Sequence, residues 1–72
     1  MQFHVHARWD DEAQVWVAES DDLPGLVAEA GTVEDLLKKL SVLVPELAEL
    51  NLGQSSGKGT FTLTAERELA FS

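Results

Sequence analysis

His4 and His6 stand one residue apart near the start of this 72-residue chain. At strand spacing both imidazoles point to one side, an arrangement that binds zinc when a neighbouring strand supplies a third ligand. No cysteine is present to serve as that ligand. The residues favour two partly exposed histidines on an outer sheet face, with no metal and no cofactor. Gly53 to Gly59, GQSSGKG, invites comparison with a phosphate-binding loop and fails it. That loop needs four residues between its glycines and Ser or Thr after its Lys. Here three residues separate Gly53 from Gly57, and Gly59 follows Lys58. Trp9 and Trp16 could stack on bases, but stacking platforms come with cations, and these tryptophans lie among carboxylates.

Charge is the more informative chemistry. The net charge is −8, and between Trp9 and Leu37 there are nine carboxylates (Asp10, Asp11, Glu12, Glu19, Asp21, Asp22, Glu29, Glu34 and Asp35) without one Lys or Arg. A phosphate backbone is bound by clustered cations, so direct nucleic-acid contact is not expected. A one-signed acidic field favours a basic partner and speeds its association, although it also serves plain solubility.

The length allows a single domain, residues 1–72, with a marginal core. Without cysteines no disulfide can staple it, so self-association as a dimer or tetramer is the expected support. No apolar run approaches the roughly 20 residues of a membrane span, and MQFHVHARWD is not a charged-then-apolar leader. The expected compartment is the cytoplasm.

The elements that position these groups follow from periodicity. Gln2 to Trp9 alternates, with Phe3, Val5, Ala7 and Trp9 on one face, which predicts a half-buried strand. Asp10 to Ala13 connects it to a second strand over Gln14 to Glu19, forming a hairpin. Val15 and Val17 oppose Trp16 and Ala18, so both faces of that strand are apolar. This predicts a central position, or an oligomer contact on the outer side, which we assign to Trp16. Leu23-Pro24-Gly25-Leu26 is a turn, and Leu26 to Ala30 a brief third strand.

Thr32 is a good N-cap, with Glu34 and Asp35 in the first helical turn where the dipole favours them. Val33, Leu36, Leu37, Leu40, Leu43, Val44, Leu47 and Leu50 form one apolar stripe. Pro45 removes the hydrogen bond to Ser41, predicting a bent helix or two abutting ones, and Gly53 is the stop. A final strand alternates from Thr60 to Phe71, and its last part, Arg67 to Ser72, is expected to overhang the sheet and reach another subunit through Leu69 and Phe71. The fold class is α+β, a two-layer β-β-β-α-β domain with its helix packed on one face of the sheet. A right-handed crossover places the last strand parallel to the first, giving the order 3-2-1-4.

Trp16-Val17-Ala18, Asp22-Leu23-Pro24-Gly25 and Thr32 through Leu37, in that order and spacing, resemble HicB-like antitoxins. The resemblance covers roughly residues 2 to 50 and implies a cut-down ribonuclease H-like fold. The implied role is to neutralise a small basic mRNA-cleaving toxin of the HicA-like kind by covering its active surface. Full antitoxins of that family carry a further DNA-binding segment that residues 1–72 do not contain, so protein binding alone is expected here. Ribonuclease H chemistry needs carboxylates converging on two metal ions, one from the first strand, and FHVHARW offers none; no enzymatic activity is expected.

The partner-binding candidates are Asp10, Asp11, Glu12, Asp21 and Asp22, read as one acidic edge facing a basic ribonuclease toxin. Charge reversal at Asp21 and Asp22 is expected to leave stability nearly unchanged. The self-association candidates are Trp16, Leu69 and Phe71, and Trp16→Ala is expected to weaken assembly rather than unfold the chain. The alternative to an antitoxin is a self-associating structural or adaptor domain with no toxin partner. A neighbouring gene for a small basic protein would separate the two.

Overall fold

A computed structural model describes residues 2–53 and 59–72. The element order is β1 (Gln2–Asp10), β2 (Val15–Glu19), β3 (Val27–Ala30), α1 (Val33–Leu52) and β4 (Thr60–Glu66). The strands form one mixed sheet in the order β3-β2-β1-β4. β1 pairs antiparallel with β2, and β2 with β3, while β4 returns parallel to β1. This is the expected α+β architecture, with β2 interior as its two apolar faces required. The glycine-rich loop expected between helix and last strand lies outside the described residues apart from Gly53 and Gly59.

Strand alternation sends Phe3, Val5 and Ala7 of β1 to one face, and Ala18, Ala28 and Ala30 join them from β2 and β3. Direct pairing aligns Ala65, Ala7, Ala18 and Ala28 across all four strands. Of that row Ala7, Ala18 and Ala28 are buried, while Ala65 is exposed. Leu36 and Leu40, both fully buried, Val44 and Ala48 complete the cluster from α1. Leu23 and Leu26 are buried too, so the Pro-Gly corner plugs the core as well as turning the chain. Its turn is closed by Leu26 N–H donating to the Leu23 carbonyl at 3.1 Å, with Gly25 at φ +89°.

The helix caps are as read. Thr32 Oγ1 accepts from Asp35 N–H at 3.0 Å. Gly53, left-handed at φ 68°, donates its N–H to the carbonyls of Ala48 and Glu49. Between them α1 runs as one 20-residue helix containing Pro45, not as two abutting ones. Its buried stripe is narrower than expected, because Leu37 and Leu50 are exposed. Asn51 ties the far end to the corner, donating from Nδ2 to the Pro24 carbonyl at 3.0 Å.

Two placements differ from expectation. Trp16 shares the helix-side face, not the outer one: it pairs with Trp9 and Ala30 and packs half-buried against the core. The outer face of β2 is Val15, Val17 and Glu19. The last strand stops at Glu66, not Phe71: its pairing with β1 ends at Arg8, although β1 itself continues to Asp10. Alternation sets which way side chains point but not where pairing ends.

Candidate protein-interaction surface

The five acidic candidates do not make one edge. The β1–β2 turn carries Asp10, Asp11 and Glu12 at one end of the hairpin. Asp21 and Asp22 follow β2 at the other end, beside His4, six strand residues away from Asp10, or roughly 20 Å.

Several of these carboxylates hold backbone. Asp10 Oδ1 accepts the N–H groups of Glu12 at 3.1 Å and Ala13 at 3.2 Å, an Asx-type turn. Gln14, at φ 58°, closes the turn with its N–H on the Asp10 carbonyl at 2.8 Å and its Nε2 on the Asp11 carbonyl at 2.7 Å. Asp11 Oδ1 accepts the Trp9 indole N–H at 3.2 Å.

At the other corner, β2 has run out at Glu19, opposite His6. His4 therefore has no strand on that side. Asp22 Oδ2 accepts the His4 N–H at 2.7 Å, and Ser20 Oγ donates to the His4 carbonyl. Two side chains replace the missing ladder. Asp22 thus holds the β1 backbone at this corner. Glu12 and Asp21 are the two candidates whose side chains make no hydrogen bond among the described residues.

All nine carboxylates from Asp10 to Asp35 stay exposed. Among the described residues only Glu19 meets a cation, Arg8 at 3.7 Å, and that pair is solvent-exposed and weak. The chain therefore presents its negative field outward nearly undiminished.

On the outer face His4 and His6 meet edge to face, ring centroids 5.6 Å apart, and His4 Nε2 is hydrogen-bonded to Thr64 Oγ1 at 3.0 Å. No group of three His, Asp or Glu is placed to hold a metal ion among the described residues.

The third feature was only half legible. Beyond Glu66 the chain continues as an arm, residues 67–72, leaving the sheet at the β1–β2 turn end. The Arg67 guanidinium lies 4.1 Å from the Trp9 ring centroid, a cation–π contact, and Trp9 in turn meets Trp16 edge to face at 5.5 Å. Arg67 was expected only as the start of the overhang, and Trp9 was weighed for base stacking, not for this contact. The signal was available, since extending the parallel register by one sets Arg67 opposite Trp9. An open groove of about 970 Å³ separates the arm from the body, lined by Arg8, Trp9 and Asp11 on one side and Glu66 to Ala70 on the other. Leu69 is 70% exposed and Phe71 98%. The candidates Trp16 and Phe71 thus fall apart, one half-buried against the core and one in solvent.

Fold and surface together define a small acidic α+β domain with an apolar arm. Residues 2–72 match the family described as a domain of unknown function, DUF1902, and the chain belongs to that family. It is similar to the crystal structure of the hypothetical protein TTHA1013 from the extremely thermophilic bacterium Thermus thermophilus. The two are 52% identical, with 99% of this chain and 100% of that one covered and a TM-score of 0.83. No curated protein matches. Family and structural match both run through the arm. No helix among the described residues is long and apolar enough to cross a membrane.

Proposed function

We propose that this chain is a non-catalytic, HicB-like antitoxin module that binds and neutralises a small basic mRNA-cleaving toxin. The observation that carries the reading is the exposed, one-signed charge of residues 10 to 35, nine carboxylates with no cation among them. A field of that kind raises the encounter rate with a basic protein and falls off with salt. The β-β-β-α-β order and the W-V-A, D-L-P-G and T-x-E-D-L-L residues that resemble HicB-like antitoxins supply the partner class. The division of acidic groups between the two ends of the hairpin favours a partner that spans the sheet rather than one docked at a single corner.

The test is capture from the native lysate on the immobilised chain at low salt. A basic ribonuclease should be retained, released by about 0.5 M salt, and able to cleave mRNA only after release. Retention of no basic ribonuclease, or of one whose cleavage is unaffected by the bound chain, would overturn the reading.

A further inference from the structure

We propose that β4 pairs with the β4 of a second copy of this chain, antiparallel and centred on Leu63, joining two four-stranded sheets into one. The sheet has two free edges, and they are built differently. β3 has four residues, exposes Glu29, and its Glu29 carbonyl already accepts Lys39 Nζ at 2.6 Å. Short length and charge guard an edge against further pairing. β4 has seven residues, Thr60-Phe61-Thr62-Leu63-Thr64-Ala65-Glu66, without Lys, Pro or Gly. Among the described residues no strand pairs with its outer side. An unguarded row of backbone N–H and C=O groups is a template for another strand.

Cover differs between the edges as well. On the helix side Ala28 and Ala30 of β3 are buried, whereas Phe61 and Leu63 of β4 are half-buried and Ala65 is exposed. The helix therefore closes the core over β3 and leaves apolar surface open along β4.

The residues of β4 and the distribution of charge select a second copy as the occupant. Pairing about Leu63 sets Leu63 opposite Leu63, Phe61 opposite Ala65 and Thr62 opposite Thr64. Large then meets small on one face, and hydroxyl meets hydroxyl on the other. A two-fold axis normal to the sheet keeps both helices on one face, so the half-covered Phe61 and Leu63 of each copy adjoin those of the other. Glu66, the one charge in the strand, falls opposite Thr60, and the two Glu66 side chains end up roughly 20 Å apart. The nine carboxylates from Asp10 to Asp35 lie on the β1–β2 hairpin, its corner, β3 and the first helical turn. Two chains of net charge −8 thus meet with less repulsion along β4, whereas a β3–β3 pair would set two Glu29 carboxylates opposite or diagonal to each other.

A seven-residue strand pair lies at the small end of specific interfaces, so dimerisation is expected at about tens of micromolar. Sedimentation velocity on the purified full chain, from about 5 to 500 μM with no other protein present, reads it. The dimer should tighten with salt as repulsion between two −8 chains is screened. Capture of a basic partner weakens with salt, so this inference and the antitoxin reading fail separately. Thr62→Lys with Thr64→Lys, at two exposed positions, opposes cation to cation twice across the pair. That variant should keep the far-UV dichroism of wild type and dimerise at least about tenfold more weakly. Register is read by cross-linking, because the chain has no cysteine of its own. Leu63→Cys places a thiol opposite its copy, within the Cα separation of a disulfide, and mild oxidation should link two chains. Thr60→Cys, roughly 20 Å from its copy, should link at least about tenfold more slowly. Should Leu63→Cys not fold, the double lysine variant decides. A wild type that stays monomeric to about 500 μM, a double lysine variant that dimerises as tightly as wild type, or equal linking at the two cysteine positions would overturn the proposal.

Discussion

The carboxylate of Asp22 accepts the backbone N–H of His4 at 2.7 Å, across 18 residues of sequence. It stands in for a strand carbonyl at the point where β2 has ended and β1 has not. A charged acceptor on a backbone donor is stronger than a neutral one, though solvent access at this corner reduces its net value. Asp21, the neighbouring carboxylate of the same pair, makes no such contact among the described residues.

Adjacent and chemically identical, these two residues should therefore differ. Asp22→Ala is expected to cost about 1–2 kcal/mol of unfolding free energy, and Asp21→Ala no more than about 0.5 kcal/mol. Urea titrations of the two variants compare them directly. Equal losses would mean that the corner does not depend on the His4 contact.

Trp16 lies on the helix-side face of the sheet. It is half-buried, packed on the core and edge to face with Trp9. Truncation to Ala should destabilise by roughly 2–3 kcal/mol, below the range for a fully buried tryptophan because part of the ring stays wet. A small domain should then lose about 10 °C or more of its thermal midpoint. A midpoint close to wild type, with only the oligomeric state altered, would return Trp16 to the interface.

Thr32 closes the first turn of α1 through its bond to Asp35 N–H. Thr32→Ala should cost about 1 kcal/mol, and Thr32→Ser or Thr32→Asp should restore most of it, because either side chain can accept the same bond. Thermal denaturation followed by circular dichroism reads the series. Asp and Ala behaving alike would show that the hydroxyl is not the cap.

For the basic-partner reading, Glu12 and Asp21 are the informative acids, since neither carboxylate is engaged in a turn. Reversal of both to Lys should leave the thermal midpoint nearly unchanged and lower affinity for a captured basic ribonuclease, chiefly through a slower association rate at low salt. Surface-binding kinetics at two salt concentrations separate this from a general loss of fold. An unchanged rate would remove these two sites from the interface.

Much of the fold was legible because it follows from local rules. Alternation gave the faces of β1 and β4, Thr32 and Gly53 marked both ends of the helix, and crossover handedness placed β4 beside β1. Of the two outcomes expected at Pro45, a bent helix or two abutting ones, the second does not occur: one lost hydrogen bond in a helix of 20 residues, anchored by Leu36, Leu40 and Val44, does not divide it. The candidate site was legible in its residue types and not in its arrangement. Asp10 to Glu12 and Asp21-Asp22 are near in sequence, but an antiparallel hairpin carries them to opposite ends.

By itself, then, the sequence determined the order of elements, the direction of each side chain along its strand and the sign of the surface field, since these depend on periodicity and composition. Only the tertiary structure decided which carboxylates are spent on holding backbone, which face Trp16 occupies and where β4 stops. Each of those turns on what lies across a strand edge. Asp22 serves His4 because β2 is too short to do so, and past the Arg8–Glu66 pair the chain leaves β1 with Arg67 resting on the Trp9 ring.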